Sequence, residues 1–121
     1  MKATPAPNGN GTLLDDTLVM VFSEFSRTWP NSGTCDHWPI TSTVFAGGGI
    51  TGNRMIGGYD FSGMAANTTG PRGAAVDVIE EGGDAANRAP RSADIVHTAL
   101  KILGIDDFFI PGGSAEIVGV A

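Results

Sequence analysis

The chain has 121 residues, with seven Lys+Arg against thirteen Asp+Glu and a net charge of −6 at neutral pH, a length that supports one domain with one modest core. Seven scattered basic residues in an acidic chain do not make the positive surface that phosphate backbones or anionic lipids require, so nucleic acid is not an expected partner. A single cysteine, Cys35, excludes an intramolecular disulfide and any multi-thiolate site, and the longest apolar run, Leu18 to Phe22, is far short of the roughly 20 residues of a membrane span.

Residues 1–12 (MKATPAPNGNGT) read as a flexible N-terminal arm, because proline and glycine at that density neither nucleate a helix nor fill a strand. With one lysine and no apolar stretch, this segment is not a signal peptide. Residues 13–121 read as one segment. Its first element, Thr17 to Phe22, is a continuous apolar run with a polar stop at Ser23, as in a buried parallel strand. Residues 23–40 then lose all periodicity and gather Ser, Glu, Arg, Trp, Asn, Cys, Asp, His and Pro into a polar loop. In α/β folds a loop straight after a buried strand is where chemistry is placed.

A second strand, about Thr41 to Ala46, leads into Gly47-Gly48-Gly49-Ile50-Thr51-Gly52, and Met55-Ile56 suggests a hairpin or tight crossing. The glycine run satisfies G-x-G-x-x-G, yet no helix follows to offer its N-terminus to a pyrophosphate, so it is better read as a turn with close backbone approach. Ala74 to Ile79 forms a short strand and Glu80 to Asp84 a solvated turn. Ser92 can cap a helix over 93–103, with an apolar stripe at Ile95, Val96, Ala99, Leu100, Ile102 and Leu103 and Gly104 as its stop. His97 lies on the flank of that stripe, as a packed or surface residue. Ile117 to Val120 fits an edge strand. Asn10-Gly11-Thr12 and Asn67-Thr68-Thr69 fit the N-glycosylation pattern as chance matches.

Three separated stretches carry a resemblance. The run Leu13 to Thr28 contains Ser23-Glu24-Phe25-Ser26-Arg27-Thr28, Asp36-His37-Trp38-Pro39 follows, and a strand ends in Ala46-Gly47-Gly48-Gly49-Ile50. Downstream, Asp94-Ile95-Val96-His97-Thr98-Ala99-Leu100-Lys101-Ile102-Leu103-Gly104-Ile105 completes the set. In this order they resemble the C-terminal part of the sulfatase-like bacterial family of unknown function, of the twin-arginine-exported type, in the alkaline phosphatase superfamily. The resemblance implies an α/β fold: a partial alkaline-phosphatase/sulfatase-like sheet with a C-terminal amphipathic helix. It also implies a chain incomplete on its own, a periplasmic or extracellular setting, and a partner in the missing N-terminal part or another subunit.

By the same resemblance, Glu24, Asp36 and His37 are candidate ligands of a divalent metal (zinc, manganese or calcium), and Arg27 is a candidate clamp for an anionic small-molecule ester. Carboxylates and imidazoles are the donors a hard or borderline divalent cation takes, and a guanidinium offers paired donors to phosphate or sulfate. The residues alone leave other readings open: Glu24 paired with Arg27, Arg27 paired with Asp36, Asp36-His37 capping the loop, or His37 as general acid or base. Cys35 beside His37 is a further, weaker nucleophile reading. No Ser, Thr or Cys is identified as the nucleophile that a hydrolase of this type needs. The functional expectation is therefore a segment of a metal-dependent phosphate or sulfate ester hydrolase-fold protein. The alternative is a non-catalytic binding or structural module on the same scaffold.

Overall fold

The computed structural model describes residues 3–24, 26–27, 37–38, 40–61 and 72–121. Among them are β1 (Leu18–Phe22), β2 (Ser26–Arg27), β3 (His37–Trp38), β4 (Thr43–Gly47), β5 (Tyr59–Asp60), β6 (Arg72–Gly73), β7 (Val76–Glu80), β8 (Ala85–Arg88), α1 (Ser92–Ile102) and β9 (Ala115–Ile117). The architecture is mixed α/β, with small antiparallel sheets and one helix. Each described pairing is antiparallel, and no parallel sheet of the alkaline-phosphatase kind is found among the described residues. No described helix is long and apolar enough to cross a membrane.

The core lies between α1 and a three-stranded sheet ordered β8-β7-β9. Val76, Val78, Ala115, Ile117 and Val120 are buried there, with Ile95 and Ile102 of α1 and Phe45 of β4 packed against them. In β7 the alternation is clean: Val76 and Val78 are buried while Asp77 is exposed, the period-2 pattern of a sheet with one covered face. The turn expected at Glu80–Asp84 is present and closes a hairpin, with the Gly83 N–H donating to Glu80 O at 2.8 Å and the Glu80 N–H to Asp84 O at 2.8 Å. Its second arm, β8, is not foreshadowed by the sequence, because Ala-Ala-Asn-Arg carries no strand signal. The terminal strand starts two residues and ends three residues before the expected Ile117 to Val120 stretch, and lies at the sheet edge beside β7.

α1 matches its expected span to within one residue, with Arg91 rather than Ser92 as N-cap. Its end shows why Gly104 stops it. Gly104 has φ +71, its N–H donates to Lys101 O at 3.0 Å, and the Ile105 N–H donates to Leu100 O at 3.0 Å. That bond pair is the Schellman arrangement, which a residue without a β-carbon adopts at least cost.

The expectation of a buried parallel strand from Thr17 to Phe22 is corrected. β1 pairs antiparallel with β4, from Leu18↔Gly47 to Phe22↔Thr43, and Val21 and Phe22 are exposed. A continuous apolar run is compatible with either pairing, and here the chain returns along the same strand. The glycines at the end of β4 let the segment that leads into β1 approach closely. A β-carbon on Gly47 would stand 1.8 Å from Thr17 O, and one on Gly48 would stand 1.7 Å from Asp15 O. No strand forms at Met55-Ile56; this stretch is held instead by Arg54, whose Nη1 donates to Gly119 O at 2.9 Å. Residues 3–12 fold back on themselves through a bridge between Pro5 and Thr12, with Ala6 buried.

Candidate functional site

The segment expected to be a loop after β1 begins as the outer half of one long hairpin. Between the pair Phe22↔Thr43 and the pair Ser26↔Trp38, the outgoing strand advances four residues and the returning strand five. The two ladders are therefore separate two-stranded sheets whose registers differ by one residue. A side-chain clasp holds the interruption: the Thr41 hydroxyl donates to Ser23 O at 2.8 Å, and the Ser23 and Thr41 hydroxyl oxygens are 2.6 Å apart. Next to it, the Ser42 and Tyr59 hydroxyls lie 3.1 Å apart and tie β5 to the base of the same hairpin.

This geometry places the sequence candidates. Glu24 is exposed and follows the clasp by one residue. Arg27 and His37 are register partners in the β2–β3 pair, and His37 is exposed. Two residues lie between Glu24 and Arg27, so their Cα atoms are at most on the order of 10 Å apart, and Arg27 is the register partner of His37. Asp36 and Cys35 lie outside the described residues, as does Asn67-Thr68-Thr69. Among the described residues no group of three His, Cys, Asp or Glu side chains is close enough to hold a metal ion.

A second polar constellation, to which no linear pattern points, is built at the start of α1. Asp94 is fully buried and its carboxylate accepts four hydrogen bonds. Arg88 supplies two, from Nη1 to Oδ2 at 2.6 Å and from Nη2 to Oδ1 at 3.0 Å; the backbone N–H groups of Arg91 and Ala115 supply the others at 2.6 and 2.9 Å. Arg88 Nε also donates to Glu80 Oε1 at 2.7 Å. One carboxylate thus joins β8, the helix N-terminus and β9. Burial acts most strongly on Asp94 and on its own would raise its pKa, but the Arg88 hydrogen bonds and charge and the two backbone donors outweigh it, leaving the carboxyl below the ordinary aspartate value. Hydrogen bonding to Arg88 likewise lowers Glu80, and Asp94 followed by Glu80 holds the Arg88 proton more tightly than in a free arginine.

One turn further on, Thr98 Oγ1 donates to Asp94 O at 2.7 Å and accepts the Ile117 N–H at 2.9 Å. His97 is packed, in line with the sequence reading. Its Nδ1 lies 2.8 Å from Ser114 Oγ, and its ring meets Phe108 edge-to-face at 4.9 Å. A serine and a histidine at that distance can share a proton, but Ser114 is 1% exposed, so no substrate reaches it. These groups dock α1 on β9; they do not form an open site.

No curated protein and no solved structure matches the chain. The family profile described as "Protein of unknown function (DUF1501)" matches residues 9–108, a span that contains the interrupted hairpin, the glycine turn and α1. The chain belongs to this sulfatase-like family, DUF1501.

Proposed function

We propose that the chain is the C-terminal segment of a sulfatase-like, metal-dependent phosphate or sulfate ester hydrolase in the alkaline phosphatase superfamily, and that the outer half of the β1–β4 hairpin is its contribution to the site. The observation that carries this reading is the β2–β3 register, with Arg27 opposite His37 and Glu24 three residues before Arg27. An anion clamp on β2, a donor just before it and a donor on β3 then share one end of the chain's return.

Glu24 and His37 suit a divalent ion in donor chemistry, one as carboxylate oxygen and one as neutral imidazole. Asp36, adjacent to His37 in sequence, is the third donor of the proposed set. When bound, the ion supplies a Lewis acid toward the ester. The guanidinium of Arg27 orients the non-bridging oxygens, which a planar fork of donors matches better than a point charge. No nucleophile is assigned to this chain, so it holds metal and anion while another part of the protein, or another subunit, attacks. An exported setting belongs to the same proposal.

The test is elemental mass spectrometry of the purified chain after growth with zinc, manganese and calcium, beside His37→Ala. About one tightly held divalent ion per chain, lost in the variant, is expected. A folded, monodisperse chain without metal sinks the reading. The second reading is a non-catalytic binding or structural module on the same scaffold. It predicts unchanged thermal stability on adding any of the three metals.

A further inference from the structure

Two of the chain's asparagines precede glycine, Asn8-Gly9 and Asn10-Gly11, and they lie two residues apart in the same exposed turn. Such pairs invite attack of the glycine backbone nitrogen on the asparagine side-chain carbon, because glycine has no β-carbon to obstruct it. The two pairs are alike in sequence and in glycine backbone, with φ +78 at Gly9 and +75 at Gly11. They differ in what the reacting groups are bonded to.

At the first pair the nucleophile is engaged, since the Gly9 N–H donates to Ala6 O at 3.0 Å. Its electrophile is engaged too, since Asn8 Oδ1 accepts the Asn10 N–H at 2.8 Å. Both bonds have to open before the Asn8 carbon can meet the Gly9 nitrogen. At the second pair neither restraint is present among the described residues. The Gly11 N–H donates no hydrogen bond there, the Asn10 carboxamide is exposed and makes none, and only the Gly11 carbonyl is used, accepting the Ala6 N–H at 3.2 Å.

We infer that Asn10 is a spontaneous deamidation site and that the fold, by engaging Gly9 and Asn8, directs the reaction to Asn10 over Asn8. The Gly11 nitrogen loses its proton to solvent base and forms a bond to Asn10 Cγ. The Cγ–Nδ2 bond breaks and the nitrogen leaves as ammonia, giving a five-membered succinimide. Water then opens either carbonyl, yielding aspartate or isoaspartate at position 10. Both products add a negative charge to a turn that already holds Asp15, whose Oδ2 accepts from the Thr12 N–H and hydroxyl at 2.7 and 2.8 Å. The isoaspartate route also inserts a side-chain methylene into the backbone between Ala6 and Gly11, the residues that close the turn.

The experiment incubates the full folded chain at mildly alkaline pH and follows conversion at each asparagine by peptide mass spectrometry, with isoaspartate resolved from aspartate. A parallel sample in concentrated urea removes the fold, and Asn10→Gln removes the faster site. In the folded chain Asn10 is expected to convert about tenfold faster than Asn8, the effect of one or two modest hydrogen bonds, with the two rates converging in urea. In the Asn10→Gln chain, the fast phase is expected to vanish. Equal rates in the folded chain, a faster Asn8, or a preference for Asn10 that survives in urea would each overturn the inference.

Discussion

Asp94 is the residue at which burial and charge meet most directly. A lone buried carboxylate is costly, and Asp94 is tolerated because four donors converge on it. Asp94→Ala leaves Arg88 and two backbone N–H groups without their acceptor, and is expected to cost about 3–5 kcal/mol, a large share of a domain's stability. Asp94→Asn is expected to lose nearly as much, since its amide NH2 would face N–H donors. Equilibrium urea unfolding checks both, and a loss below about 1 kcal/mol would contradict the assignment. The pH dependence has a definite sign. Because the folded carboxyl titrates below its unfolded value of about 3.9, its stabilisation is full above that value and is lost as pH falls through the lower, folded one. Glu80, lowered by its bond to Arg88, contributes in the same direction. The Asp94→Ala protein should therefore show a flatter stability profile in acid than the parent. Little of this was legible in sequence: Asp94 sits in a helix that periodicity reveals, but nothing in a linear pattern announces that Arg88 reaches it across a turn.

Among the elements, α1 was the most legible because an apolar stripe of helical period and a terminal glycine agree, although the cap expected at Ser92 falls one residue earlier, at Arg91. β1 was legible as a strand but not in its pairing. β2 and β3, two residues each, carry no periodicity, so the hairpin that brings Arg27 opposite His37 was hidden inside an apparent loop. The glycine turn at the end of β4 is legible as close backbone approach, because glycine alone among residues fits there, and it gives a sharp comparison. Gly48 has the Asp15 carbonyl oxygen 1.7 Å from where a β-carbon would stand, whereas Gly52 has nothing within 4 Å. Gly48→Ala must push apart the backbone joining residues 14–17 to β4, breaking the bond from its N–H to Leu14 O at 2.9 Å. A fall in Tm on the order of 10 °C is expected for Gly48→Ala, against a change within a few degrees for Gly52→Ala. Differential scanning calorimetry of the pair decides it, and similar effects at both positions would refute the steric account.

At the scale of the whole molecule, a neutral apolar ribbon is attached to an acidic body. β1 and β4 contain no charged residue, and the ribbon face bearing Val19, Val21, Val44 and Ala46 turns away from the core, with Val21 61% and Val44 59% exposed. Proteins usually protect ribbon edges with charge, proline or irregularity, and the β1–β4 ladder runs without interruption from Leu18 to Phe22. Opposing association through this face is the net charge of −6, which repels a second copy across a Debye length of about 10 Å at 0.1 M salt. The two effects respond oppositely to ionic strength. Raising salt to about 1 M shortens the Debye length to about 3 Å and leaves apolar attraction in place, so light scattering should show mass increasing with salt at constant protein concentration. Val44→Lys places a charge in the middle of the face without touching the core, and is expected to remove the salt-driven increase while leaving thermal unfolding close to that of the parent. If the variant associates as strongly as the parent, attraction comes from elsewhere on the surface; exposed Val96 of α1 and Leu103 at its C-cap are then the next residues to charge. If neither protein responds to salt, repulsion was not what kept the copies apart, and the ribbon face is too small to drive association by itself.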